Sequence, residues 1–398
     1  MHVNVGLLLF AVLTCSGGNR FLQNKHPPLV RLRPEKQGHK QILQLPGLDK
    51  PSVMTTVNVE PPIFFIDDFL TPKECSHIIK LAKRQGMENS PVGDEFDYLD
   101  QDFIDEFDPK EAWEDWNING DEWIDKEELI QNMMDLANAK FSGDDADEML
   151  SQLKLDKDLD GKLNYEEFAS SDVVAVNEFI NKVRDANPWY KVRYSSQTWL
   201  RQDSSSDPVL QQLRERLIAL THLPPVIVET SEHIQVVHYD VGGHYHCHLD
   251  TDPEEANQTC CYLTSRMTDG CRLCRFLTLL YYLNEVPDGG ATAFPGAWME
   301  PNLDYSEFQS TGLCNLSAQC NSGLVVKPKL GSAVLWYSHF VDNDGQLSRV
   351  DNRTIHGGCD VIKGEKWIAN NWIDIDGFVD YNQLDAEMDG TKAIHSEL

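Results

Sequence analysis

The chain has 398 residues, 41% of them hydrophobic, and a formal net charge of -30 at neutral pH. That is enough for one large or two ordinary domains with real cores. The acidic residues crowd between Asp94 and Glu167, so the charge belongs to one module, and a surface of that sign repels phosphate and argues against a nucleic-acid partner.

The apolar run Val3 to Thr14 ends in small residues at Cys15-Ser-Gly-Gly. A membrane span needs ~20 apolar residues, so residues 1–16 read as a signal peptide. An uncleaved signal anchor stays as the alternative, because no Lys or Arg precedes the run. Residues 17–57 are polar and Pro-bearing and read as a linker. Three N-x-S/T triplets, at Asn257, Asn315 and Asn352, offer glycosylation acceptors in keeping with secretion. Cys260, Cys261, Cys271 and Cys274 share one polar insertion, and Cys314 and Cys320 bracket another, which predicts local disulfides that staple these loops. The CxxC of Cys271 and Cys274 has a redox or zinc reading too, but no second CxxC supports it.

Residues 58–93 open the next unit. PPIFFIDDFL reads as a short buried strand, Thr71 as an N-cap with Glu74 three places on, and Gly86 as the stop of the helix between them. Residues 94–186 are acidic and helix-rich, roughly the size of a paired helix-loop-helix calcium module. Within it, DKDLDGKLNYEE places Asp156, Asp158, Asp160, Asn164 and Glu167 at Ca(II) loop positions 1, 3, 5, 9 and 12, with Gly161 at the turn and the Lys162 carbonyl at position 7. An upstream loop, NINGDEWIDKEE, sets Asn117, Asn119, Asp121, Trp123, Asp125 and Glu128 at positions 1, 3, 5, 7, 9 and 12. Its first ligand is neutral and Glu122 stands where the turn wants glycine, so weaker calcium binding is expected there. A register starting at Asp115 restores Gly120 to the turn but puts Lys126 where the bidentate Glu belongs. An acidic loop without calcium is the plainer reading, and it leaves the full match of the second loop to chance.

Residues 187–380 turn to aromatic and β-branched runs. An amphipathic helix spans DPVLQQLRERLIALTHLP, and strand-like runs around SEHIQVVHYDVGG, FLTLLYYLNEVPDGG, SGLVVKPKLGSAVLWY and EKWIANNWID are separated by Gly and Pro turns, which suits a β-sandwich or jelly roll with helices outside. His248 and Asp250 stand two apart, so on a strand they share a face and can close on one metal, with His356 able to complete the set. Two imidazoles and a carboxylate leave the opposite face of a metal open, as in non-heme Fe(II) oxygenases, whereas structural zinc more often recruits thiolates. His246 is expected on the same face as His248 and is read as a neighbour of the metal set instead of a ligand. A buried Lys366 would need an anion, and a dicarboxylate cosubstrate supplies one.

The runs YDVGGHYHCHLD, LTLLYYLNEVPDGGATAFPG, VVKPKLGSAVLWY, RTIHGGC and GEKWIANNW together resemble the prolyl 4-hydroxylases, a branch of the 2-oxoglutarate and Fe(II)-dependent dioxygenases. The inserted calcium pair resembles the membrane-anchored branch of that family. The resemblance implies an α+β chain with a double-stranded β-helix (jelly-roll) core, flanking helices and an inserted all-α EF-hand pair. It implies Fe(II) on His248, Asp250 and His356, 2-oxoglutarate at Lys366, Tyr239 and Thr292, and a target proline near Tyr245, Arg275 and Trp372. Ascorbate enters as a cofactor by the same resemblance, and a proline-bearing protein is the implied substrate. A homodimer is left open. The rivals are an inactive oxygenase scaffold that binds calcium, and an oxygenase acting on something other than proline. In the tail, 381–398, the ending His395-Ser396-Glu397-Leu398 resembles an HDEL retrieval signal, so the expected location is the endoplasmic reticulum lumen, with a retrieval receptor as partner.

Overall fold

The computed structural model describes residues 26–91, 107–137, 139–202, 207–253, 258–261, 271–300 and 316–377, with 379, 381 and 384. The readings made above for residues 1–16, Asn257, Cys314, Asn315 and the last four residues lie outside them. Fourteen strands build two antiparallel sheets. Along the chain they are β1 (Lys40–Leu43), β2 (Ser52–Asn58), β3 (Ile63–Asp67), β4 (Glu88–Asn89), β5 (Arg193–Tyr194), β6 (Ser196–Leu200) and β7 (Ile234–Tyr239). There follow β8 (His244–His248), β9 (Arg275–Tyr282), β10 (Thr292–Ala293), β11 (Val325–Val326), β12 (Ala333–Tyr337), β13 (His356–Gly358) and β14 (Lys366–Asp374). The larger sheet runs β1-β2-β3-β12-β9-β14-β7-β6-β4 and the smaller β11-β10-β13-β8-β5. They pack face to face through Val237, Leu280, Tyr282, Phe294, Val334, Trp336 and Ile368, the two layers of a jelly roll.

Helices cover the other face of the larger sheet. The first, α1 (Pro72–Gln85), starts as its sequence requires, with Thr71 and Glu74 forming a reciprocal capping box and Pro72 in the first turn. Glu74 then takes two bonds, 2.6 and 3.1 Å, from the fully buried Arg216, which ties α1 to a later helix. Ile78 and Ala82 of α1 join Leu213, Leu217 and Ile227 against Phe276, Leu279 and Leu335. β9 and β12 are therefore buried on both faces, which is why FLTLLYY and AVLWY show no polar alternation. Each such Leu removed from water contributes roughly 1.5–3 kcal/mol.

Residues 17–57 are not all linker. β1 and β2 extend the larger sheet, and Leu29, Leu45 and Met54 are buried. Their pattern was hidden because the buried face of SVMTTVN is formed by Ser52, Met54, Thr56 and Asn58, mostly polar residues. The tail likewise begins later than residue 381, since Tyr381 is buried in the core and its hydroxyl accepts from Asp376 N at 3.0 Å.

Between α1 and β5 stands a helical module: α2 (Pro109–Trp116), α3 (Lys126–Ala137), α4 (Gly143–Leu153), α5 (Tyr165–Ala169) and α6 (Val173–Ala186). It has its own core of Leu129, Met133, Met149, Phe168 and Ile180. Its two loops meet in an antiparallel bridge in which Ile124 and Leu163 exchange both backbone bonds, 2.8 and 3.0 Å. A second bridge, Ala139 with Lys191, joins it to the segment that runs into β5, the edge of the smaller sheet.

The disulfides are local, as expected, in the first cysteine-rich insertion but not at Cys320. Cys260 pairs with Cys274 and Cys261 with Cys271, so the CxxC sulfurs bond elsewhere and not to each other. Cys320, placed by spacing with Cys314, instead reaches Cys359 just beyond β13. It clamps α7 (Leu316–Ser322) against the smaller sheet, a contact between segments far apart in sequence that spacing does not reveal.

Candidate active site

β8 and β13 pair so that His248 faces His356, and Asp250 follows two residues after His248. The His248 Nε2 lies 3.8 Å and the His356 Nε2 3.6 Å from the Asp250 carboxylate, with the imidazole centroids 4.4 Å apart. Each Nδ1 is tied to a backbone carbonyl, His248 to His246 O at 2.7 Å and His356 to Thr354 O at 3.0 Å. A carbonyl only accepts, so Nδ1 carries the hydrogen and the Nε2 lone pair points into the corner, the arrangement a metal needs. Burial, together with repulsion from His356, pushes the His248 pKa down to about 3, which keeps this ring neutral and able to ligate. Burial works against the Asp250 carboxylate, but His356, His248 and Arg275 beside it and the Thr278 hydroxyl at 2.6 Å hold its pKa below the usual range.

From this corner a cavity of about 150 Å³ runs to Lys366, lined also by Tyr239, Thr292, Gly358 and Ile368. Lys366 lies opposite Tyr239 across the β14–β7 pairing, is 2% exposed, and has its ammonium 5.1 Å from the centre of the Tyr239 ring. Burial alone pushes its pKa down to about 7. Among the described residues no carboxylate pairs with it. Gly290, at φ 67, admits the lysine stem: a Cβ there would sit 3.3 Å from Lys366 Cδ. The residues therefore fit an oxygen-binding metal at one end and a dicarboxylate's far anion at the other.

Residues 234–374, which hold all four of these side chains, match the family model described as the 2OG-Fe(II) oxygenase superfamily. Over 358 residues the chain is 34% identical to the transmembrane prolyl 4-hydroxylase of Homo sapiens, covering 88% of this chain and 70% of the human protein. The Mus musculus protein of that name matches over the same shares at 34%. The chain belongs to the prolyl 4-hydroxylase family. It is a 2-oxoglutarate-dependent dioxygenase. Among solved structures, a viral collagen prolyl hydroxylase from Paramecium Bursaria Chlorella virus-1 aligns with a TM-score of 0.37 at 17% identity, over 78% of this chain and 95% of that one.

The hydroxylase-family site gathers the three residues expected near a substrate. Tyr245 stacks on His248, centroids 3.7 Å apart. Arg275 is held by Glu232 through bonds of 2.5 and 2.8 Å, donates to Asp250 O at 3.2 Å, and lies 3.6 Å over the Trp372 ring. Its charge is thus already neutralised, leaving Trp372, whose buried Nε1 finds no acceptor, as the freer donor.

His246 departs from expectation. Between the same two pairings β8 takes three steps, Tyr245 to His248, where β13 takes two, Gly358 to His356. This bulge breaks the two-residue alternation and gives Tyr245, not His246, the face of His248. The His246 imidazole lines a separate cleft with Lys140 and Cys320, and only its carbonyl serves the metal set.

Sequence reasoning also passed over Thr278, Glu232 and Arg193. Thr278 had a signal, as the one polar residue inside the apolar run FLTLLYY. Arg193 and Glu232 had none, because the contacts that bring them to the site, Arg193 over Tyr245 and Glu232 with Arg275, join residues remote in sequence. Thr278→Val keeps the volume and removes the hydroxyl that orients Asp250, so iron affinity measured by chelator competition is expected to fall about 10–100-fold.

In the helical module Asp156, Asp158 and Glu167 bring candidate ligand atoms together. Gly161 takes φ 84 at the turn, and both Glu167 oxygens accept from the loop's own backbone, Lys157 N at 2.8 Å and Asn164 N at 3.0 Å. In the upstream loop Glu128 similarly accepts from Asp125 N at 3.0 Å, but the left-handed turn falls at Gly120, not at Glu122. Asn117 there points its amide nitrogen at Asp121 O. No cluster of three acidic ligands forms in that loop among the described residues.

Proposed function

We propose that this chain hydroxylates a proline within a protein substrate, consuming O2 and 2-oxoglutarate and releasing succinate and CO2. The observation that carries the reading is one cavity with the His248, Asp250 and His356 set at one end and, at the other, a buried Lys366 that pairs with no carboxylate among the described residues. Fe(II), when bound, supplies open positions for the keto acid end of the cosubstrate and for O2, and ascorbate would keep it reduced. His248, Asp250 and His356 would hold the metal. Lys366 pairs with the distal carboxylate, and the buried Tyr239 and Thr292 form the walls beside it. Thr292 is oriented by the Tyr282 hydroxyl at 2.8 Å. The packing of Trp336 and Phe294 around His356 excludes water from the corner. Tyr245, on His248, and Trp372 would seat the proline. Mass spectrometry of a proteome incubated with the protein tests the reading, and an absence of new hydroxyproline under turnover conditions would remove it.

The disulfides among the described residues, Cys260–Cys274, Cys261–Cys271 and Cys320–Cys359, favour an oxidising compartment, in keeping with the endoplasmic reticulum lumen. Among the described residues no helix is long and apolar enough to cross a membrane.

We also propose that the helical module is an EF-hand pair whose second loop takes Ca(II) on Asp156, Asp158, Asp160, the Lys162 carbonyl and Glu167. Its exit is joined to the smaller sheet by backbone bonds: Lys140 N to Tyr190 O at 2.6 Å, then His246 N to Val192 O at 2.7 Å. Arg193 follows, its guanidinium 4.6 Å over the Tyr245 ring. Ordering of the loops therefore reaches the residue stacked on His248. Calcium at about 100 times its Kd is expected to stabilise the chain by about 2.7 kcal/mol. The rise in melting temperature should disappear in Glu167→Gln and persist in Glu128→Gln. If turnover in calcium and in chelator is the same, the module does not regulate catalysis.

A further inference from the structure

Behind the wall that Arg275 and Trp372 give the cavity, two buried carboxylates stand beside one guanidinium. Glu232 and Asp374 are 3% and 2% exposed, and neither lines the cavity itself. Glu232 takes the Nε and Nη2 of Arg275 with its two oxygens, and the remaining Nη1 goes to Asp250 O. Asp374 lies directly opposite Arg275 in the β9–β14 pairing, yet its carboxylate turns to the backbone. Its Oδ1 accepts from Glu232 N at 2.9 Å, and its own N–H donates to Ser231 Oγ at 3.2 Å. Ser231 Oγ donates in turn to Ile227 O at 2.7 Å, inside the helix Pro225–Thr230. Glu232 precedes β7 by two residues, so the sheet ladder does not hold it; Asp374 does.

One guanidinium balances one carboxylate. A second buried anion beside Glu232 would be costly, and burial together with the Glu232 charge holds the Asp374 carboxyl well above the usual carboxylate range, so it carries a proton. A neutral acid adds nothing to the charge of Arg275. What it supplies is an acceptor for a backbone N–H that would otherwise be buried and unpaired. That N–H belongs to the residue whose carboxylate fixes the arginine fork, and a bidentate pair holds only while both partners keep their angles. We infer that Asp374 is a positioning residue for the protein substrate: through Glu232 it keeps the Arg275 guanidinium 3.6 Å over the Trp372 ring and so fixes the wall beside the target proline. This rests on the hydroxylase reading above.

The test compares Asp374→Asn, which keeps an uncharged side chain with an acceptor oxygen, with Asp374→Leu, which keeps the size and removes the acceptor. The first readout needs no substrate. Hydrogen exchange at the Arg275 Nε is followed by NMR in the full chain, assigned with Arg275→Lys, and Arg216, held by Glu74 in a separate buried pair, is the control. Exchange at Arg275 should quicken about tenfold in Asp374→Leu while Arg216 stays slow, and both should stay slow in Asp374→Asn. The second readout is kinetics on a proline peptide that the wild type hydroxylates. Its KM should rise about tenfold in Asp374→Leu, with kcat and the KM for 2-oxoglutarate within about twofold, and should be ordinary in Asp374→Asn. Glu232→Gln should raise the peptide KM as well, and adding Asp374→Leu to it should raise it no further, because one residue acts through the other. Should Asp374→Leu not fold, Asp374→Ser, too short to reach Glu232 N, carries the same comparisons. Unchanged Arg275 exchange without the acceptor, a raised peptide KM in Asp374→Asn, or effects that add to those of Glu232→Gln overturn the assignment. If no peptide is hydroxylated, the hydroxylase reading falls, and the exchange comparison still decides whether Asp374 positions Arg275.

Discussion

Alanine at His248 or at Asp250 should reduce succinate release to background, with His246→Ala as the contrast. Each of the first two removes one of three groups whose ligand atoms lie within 4.8 Å of one another. Two remaining donors hold a divalent metal far more weakly, and the loss should appear in iron binding as well as in turnover. The fold should survive. His248 is a half-buried ring whose protonation is already suppressed, and Asp250 is a buried carboxylate kept charged only by its neighbours, so deleting either relieves desolvation as well as removing contacts. His246→Ala leaves the backbone carbonyl that orients His248 in place and empties only a separate cleft, so turnover within about twofold of wild type is expected. Melting temperature read beside metal content separates a lost ligand from a lost fold. Unchanged succinate release in His248→Ala would sink the metal assignment, and a collapse in His246→Ala would overturn the placement of that ring.

That contrast also marks where the sequence stops being legible. His248 and Asp250 could be paired from spacing alone because a strand repeats every two residues. The same rule placed His246 wrongly, since a bulge is an extra residue with no signature in HYHCH. Thr71 and Glu74 were readable because a capping box is closed within four residues. Cys320 with Cys359, and Arg275 with Glu232, were not, because each contact is made only after distant strands come together. β1 and β2 escaped for another reason: their buried face carries Ser52, Thr56 and Asn58, so apolar alternation, the usual sign of a strand, is absent. Local chemistry announced itself, and long-range pairing stayed silent except where function demanded several rare residues at once.

Lys366→Met should raise the KM for 2-oxoglutarate by about two to four orders of magnitude while leaving the melting temperature level or higher. The substitution keeps an unbranched side chain one heavy atom shorter and removes a charge that burial already disfavours. With no cosubstrate present, nothing is lost but a desolvation cost. With cosubstrate present, the distal carboxylate is buried unpaired, a penalty of about 3–5 kcal/mol. The pH dependence follows from the same residue. In the empty cavity its pKa is lowered to about 7, so the lysine is charged below that value and mostly neutral above it. The dicarboxylate needs the charged form, so binding takes up a proton above pH 7, and cosubstrate affinity should weaken as pH rises, by up to about tenfold per unit. Below pH 7 the dependence flattens, because the lysine is already protonated. In Lys366→Met the KM should be high and flat between pH 7 and pH 9. Calorimetry in buffers of different ionisation enthalpy reads the proton directly. A wild-type profile without proton uptake at pH 8, or a Lys366→Met variant with ordinary KM, would place the distal carboxylate somewhere other than on Lys366.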